Sequence, residues 1–176
     1  ALRHAEKLLK DGAHILDIGG ESTRPGSPPV PLEEEMRRVL PFVQAAVQFG
    51  VPISVDTYKA QVMQAVLDAG ADIINDVWAL RQPGAQSVVA NHPQCGVVLM
   101  HMHKTPQDMQ QTPMQGDAVA QVQNFLAQQT QALLALGVER QRIVWDYGIG
   151  FGKTVAQNFA LLAHQTALTR QGFALL

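Results

Sequence analysis

The residues best equipped for chemistry sit together at Asp17-Ile18-Gly19-Gly20-Glu21-Ser22-Thr23-Arg24-Pro25-Gly26-Ser27, where a short apolar strand runs straight into a polar loop punctuated by glycine and proline. A strand that ends in a carboxylate and opens into hydroxyls and an arginine presents fixed polar groups at the rim of a sheet, the place where α/β proteins bind small molecules. The same grammar recurs four times. Residues 52–55 lead into Asp56-Thr57, 71–74 into Asn75-Asp76, 97–100 into His101, and 143–145 into Asp146. Taken singly, Asp56-Thr57 and Asp76 read as helix caps. Jointly they read as a binding rim, because capping does not require a polar residue at the end of every strand.

These ends need elements to hold them. Apolar residues at helical spacing (Val62, Met63, Val66, Leu67, then Val119, Val122, Phe125, Leu126, Leu133, Leu136) predict helices between the strands, with Gly70 and Gly137 as stops. The expected helices cover residues 1–9, about 32–49, 58–69, 84–91, 118–136 and 154–170. Pro41 is expected to kink or restart the second of them, whereas Glu33, Glu34 and Glu35 suit its N-terminal dipole. Two connections, 21–31 and 103–117, are long and proline-bearing, as functional loops and lids are. Strict alternation of strand and helix implies right-handed parallel crossovers. The fold class is α/β, with about five complete parallel strands and part of a sixth, read as a partial (β/α)8 barrel. A closed barrel takes about 250 residues, so the 176 here are expected to form one incomplete domain, 1–176, cut from a longer protein.

Composition narrows the partners. With 47% hydrophobic and 16% charged residues and a net charge of −2, the chain has core material but no basic tract for nucleic acid or an anionic membrane. No apolar run approaches the length of a membrane span. Cys95 is the sole cysteine and reads as a small buried hydrophobe in a reducing, cytoplasmic setting. Gly148-x-Gly150-x-Gly152 lacks the dinucleotide-binding spacing and its later acidic residue. His101 has no second histidine at metal-ligand spacing and reads as a structural, hydrogen-bonded side chain.

Four motifs in order, Asp17-Ile-Gly-Gly-Glu-Ser-Thr-Arg-Pro-Gly26, Ser54-Val-Asp-Thr-Tyr-Lys59, Ile73-Ile-Asn-Asp-Val77 and Asp146-Tyr-Gly-Ile-Gly-Phe-Gly-Lys153, together with Met100-His101-Met102, resemble the dihydropteroate synthase family of pterin-binding barrels. The resemblance runs from the helix after the family's first strand to the start of its seventh. It implies a transferase of folate biosynthesis that joins 4-aminobenzoate to 6-hydroxymethyl-dihydropterin diphosphate, releasing pyrophosphate. Carried over by position, it implies that Asp56, Asn75 and Asp146 hold the pterin, with Met100 and Phe151 as apolar faces. It further implies that Thr23 and Arg24 lie on a loop that closes over aminobenzoate and diphosphate, with Asp17 and Lys153 as further candidates. The resemblance also implies Mg2+, whose ligand strand lies ahead of Ala1, so no metal residue is expected within this chain, and a homodimer for the full-length protein. Tyr147 departs from a usual proline and Lys104 from a common glycine. A methyltetrahydrofolate-binding methyltransferase domain and a non-catalytic pterin-binding remnant are the alternatives. With strands missing, open sheet edges are expected to make the isolated piece poorly soluble.

Overall fold

The computed structural model describes residues 1–24 and 26–176. Six strands form one parallel sheet in chain order: β1 Leu16–Gly19, β2 Ile53–Asp56, β3 Ile73–Asp76, β4 Gly96–Met100, β5 Ile143–Asp146 and β6 Ala174–Leu175. The sheet is not closed into a barrel. Among the described residues, β1 pairs with β2 alone and β6 with β5 alone.

Helices fill the crossovers: α1 Leu2–Lys10, α2 Leu32–Ala46, α3 Ala60–Asp68, α4 Ala85–Asn91, α5 Ala118–Ala135, α6 Val155–Ala163 and α7 Gln165–Thr169. The expected turn residues act where they were placed, Gly70 at φ +102° and Gly137 at φ +84°, in the left-handed region that ends a helix. Two expectations need correcting. α2 passes through Pro41 without restarting and tightens into a 3-10 turn over Val47–Phe49. The last helix is two, because the chain turns at His164, whose Nδ1 bonds the Ala160 carbonyl at 2.8 Å. α3 begins at Ala60, with Lys59 at its cap position and no side-chain cap, so Asp56 and Thr57 do not cap it, in line with the joint reading of the strand ends.

Register divides every strand into two faces. Leu16 pairs with Ile53, Ile74 with Val97 and Leu99 with Trp145, and these side chains are buried against the helices. The alternate residues, Asp17, Ser54, Asp56, Asn75, Val98, Met100, Val144 and Asp146, share the opposite face. Asp17 on β1 and Asn75 on β3 reach each other across β2, Nδ2 to Oδ2 at 3.4 Å, so this second face is concave.

Asp76 follows Asn75 and so points the other way, into the helix layer, where it is fully buried. Its two oxygens accept the backbone N–H groups of Trp78 and Leu80 at 2.7 and 2.8 Å. They hold a turn in which Ala79 and Leu80 both adopt positive φ, 52° and 57°. Burial pushes the carboxyl up to about 7 against the pull of those two bonds. Asp76→Ala strands two buried donors in a strained turn and is expected to lower stability by about 2–4 kcal/mol in urea unfolding. A loss under about 0.5 kcal/mol would show that the turn holds itself.

Candidate functional site

Five of the residues singled out above occupy the concave face at the carboxyl ends of the strands. Asp56 sits opposite Asn75 in the β2–β3 register, and Met100 opposite Asp146 in the β4–β5 register. Asp17 lies one step lower on β1, bonded to Asn75. Adjacent strands are about 4.8 Å apart, so the polar ends line one rim. Asp146 Oδ1 accepts the Gly148 N–H at 2.7 Å, which fixes the carboxyl plane at the strand end.

Electrostatics set these acids apart from surface carboxylates. Burial, then the charges of Asp17, Asp76, Glu35 and Glu21, push Asp56 up to about 7. Burial likewise raises Asp146, partly offset by its bond to Gly148 and by the Lys153 charge. Both carboxyls are raised chiefly by burial, and hydrogen-bond donors or positive charge placed against them would favour their ionised forms.

Phe151 and Met100 meet in a small apolar cluster with Val77, Met102 and Met109, and Trp78 packs against it. Met102, Met109 and Trp78 are additions that sequence reasoning missed. The signal available was the density of methionine after β4. Trp78 stacks on Tyr58 with ring centroids 5.3 Å apart.

Lys153 is buried beneath this rim, not displayed on it. Its Nζ donates to the carbonyls of Gly148, His101 and Phe151 at 2.7, 3.1 and 3.2 Å, tying the β4 end to the loop after β5. Burial drives it down to about 7, against the Asp146 charge. Gly148, at φ +63°, is required here because a Cβ would overlap the His101 carbonyl. His101 corrects a further expectation. It is buried and packs edge-on against Phe125, 5.0 Å between centroids, but its Nδ1 has no hydrogen-bond partner among the described residues. Burial, then Lys153, hold it neutral, down to about 3.

Thr23 is half-buried and Arg24 exposed on the loop after β1. That loop touches the 103–117 connection, through Gly26 N–H to the Pro106 carbonyl at 3.0 Å and Gln107 Nε2 to the Ser27 carbonyl at 3.2 Å. Of the two departures noted above, Lys104 takes up φ +63°, the conformation a glycine there would supply. Tyr147 buries its ring in the main core and leaves its hydroxyl without a hydrogen-bond partner among the described residues.

Six parallel strands alternating with helices, their polar ends gathered on one face, define an α/β fold of the barrel type, here left open. Residues 1–176 match the pterin binding enzyme family, and the chain belongs to it. Among its relatives, the dihydropteroate synthase of Neisseria meningitidis serogroup B is 46% identical over 180 residues, covering all of this chain and 63% of that protein. Two solved structures are similar. The Burkholderia cenocepacia dihydropteroate synthase complexed with 7,8-dihydropteroate has TM-score 0.89 and 53% identity over 95% of this chain and 60% of its own. The Xanthomonas albilineans dihydropteroate synthase with 4-aminobenzoic acid has TM-score 0.91 and 47% identity over 99% and 62%. The chain thus spans somewhat under two thirds of the length of these relatives.

Proposed function

We propose that the complete protein carrying this chain is a dihydropteroate synthase, and that residues 1–176 are one incomplete pterin-binding domain of it. The observation that carries the reading is the placing of Asp56, Asn75 and Asp146 on one concave face at one end of the sheet. A pterin's pyrimidinone edge presents adjacent N–H donors, much as a guanidinium does, and a carboxylate accepts two such bonds side by side. Asp146 takes that role. Asn75 offers a donor and an acceptor to a ring edge where the two alternate, and Asp56 completes the edge. Met100 and Phe151 supply apolar surface for the ring faces.

The aromatic amine of aminobenzoate is largely neutral near pH 7 and needs little help from a base. The harder step is departure of pyrophosphate. As the carbon–oxygen bond breaks, positive charge grows on the pterin methylene and negative charge on the leaving group. Carboxylates on the rim stabilise the first, and Arg24 with Thr23, on the loop that closes over the site, assists the second and excludes water. No covalent enzyme intermediate is involved. Asp17 positions Asn75, and Lys153 holds the floor of the pocket.

Magnesium, a homodimer and a cytoplasmic location belong to this proposal for the complete protein. Among the described residues no three His, Cys, Asp or Glu side chains are grouped to hold a metal ion, and Mg2+ commonly takes one or two carboxylates together with substrate phosphates and water. Likewise, no helix among them is long and apolar enough to cross a membrane.

The test is aminobenzoate-dependent release of pyrophosphate from 6-hydroxymethyl-dihydropterin diphosphate by the complete protein. Turnover supports the reading. Pterin binding by calorimetry without turnover supports a remnant, and methyl transfer from a folate would favour a methyltransferase.

A further inference from the structure

The loop bearing Thr23 and Arg24 leaves the sheet through a neck of interlocked polar side chains beside the rim. Glu21, its first residue, accepts the Val30 N–H at 3.1 Å on one carboxylate oxygen, so both ends of the loop are closed by one side chain. The same carboxylate accepts the Tyr58 hydroxyl at 2.9 Å and pairs with Lys59. Lys59 pairs at once with Glu35 of α2, whose side chain is 1% exposed. Thr57 completes the circuit, donating from Oγ1 to Glu35 at 2.7 Å. Because Thr57, Tyr58 and Lys59 directly follow Asp56, the neck is bolted to the strand end that carries a pterin carboxylate. The floor beneath is rigid. A Cβ on Gly20 would meet Val39 Cγ2 at 2.5 Å and Glu35 Cγ at 2.9 Å, so β1 is pressed against α2 where the loop begins.

We infer that Lys59 is a positioning residue, the bolt that holds the loop's hinge over the rim so that Thr23 and Arg24 close on the second substrate. This rests on the proposed function. Burial disfavours the Lys59 charge, but its bonds to Glu21 and Glu35 outweigh that and keep it cationic. Without it, two carboxylates face each other across a partly buried gap, and the neck is pushed off its seat. Aminobenzoate capture suffers. The pterin pocket, built on the ends of β2 to β5, keeps its geometry.

In the complete protein, Lys59→Met is expected to raise the KM for aminobenzoate about tenfold, the loss typical of a charge-assisted bond. Pterin affinity, read by calorimetry, is expected to stay within about twofold. Lys59→Arg, which keeps charge and reach, restores most of the aminobenzoate KM. Glu21→Gln, which loosens the neck from the loop side, shifts it in the same direction as Lys59→Met and decides the matter if that variant does not fold. An unchanged aminobenzoate KM, or an equal fall in pterin affinity, overturns the hinge role. Absence of turnover in the unsubstituted protein instead overturns the functional reading beneath it.

Discussion

Asp146→Ala is expected to weaken pterin binding by about a hundredfold or more. Two parallel bonds from ring N–H groups to one carboxylate are charge-assisted and worth about 1.5–3 kcal/mol each, and removing the acceptor also leaves the ligand's donors dry and unpaired. The carboxyl is held for this by the Gly148 N–H at 2.7 Å, on a strand end that Lys153 ties to β4 through three carbonyls. Asp146→Asn is expected to lose nearly as much, since its amide turns a donor toward donors. Calorimetry with 6-hydroxymethyl-dihydropterin on the complete protein checks this, with far-UV dichroism confirming the fold. A Kd within about threefold of the unsubstituted protein would remove Asp146 from the site.

How much of this was legible in the chain follows from which interactions are local. Strands such as 73–76 and 143–146 stand out because a parallel sheet packed on helices demands short β-branched or aliphatic runs, and the polar residue ending each run marks the rim. Their pairing order follows from alternation with helices. The facing of Asp76 was also available, because neighbours on a strand point to opposite sides and Asn75 had already been given to the rim. The same rule turns His101 away from Met100 and toward α5, where it meets Phe125. What the chain hides is contact at long range. Glu35 lies 24 residues from Lys59, and Glu21 lies 38. Nothing in the run Glu33-Glu34-Glu35 distinguishes the one buried carboxylate from its neighbours until α2 is laid against the end of β1. Dipole complementarity accounts for acidic residues in that turn but not for which of them enters the core. The split between α6 and α7 is hidden for a related reason. Apolar spacing continues through His164, and only the turn of the backbone there separates the two helices.

Asp56 is expected to make binding and stability depend on pH in opposite directions. In the folded chain its carboxyl is raised to about 7, by burial first and by four neighbouring carboxylates after it. An unfolded aspartate titrates near 3.9. Between those values the folded state holds a proton that the unfolded state has lost, so this residue's contribution to stability falls as pH rises from about 4 to about 7 and is constant above. Pterin binding runs the other way, because ring N–H donors need the ionised form. Affinity is expected to climb by up to about tenfold per pH unit below 7 and to level off beyond it, with saturated turnover little changed. Asp56→Asn removes both slopes. The variant is expected to be about 2 kcal/mol more stable at pH 8, where the unsubstituted carboxylate is charged and buried. It is also expected to bind pterin weakly and equally at pH 5.5 and 8. Urea unfolding and calorimetry across that range read the two effects separately. If Asp56→Asn keeps the slope in affinity, the titrating group lies elsewhere on the rim, with Asp146 the next to replace. If it loses stability at pH 8, the buried charge is matched by a donor, and the carboxyl cannot be the strained group that ligand binding relieves.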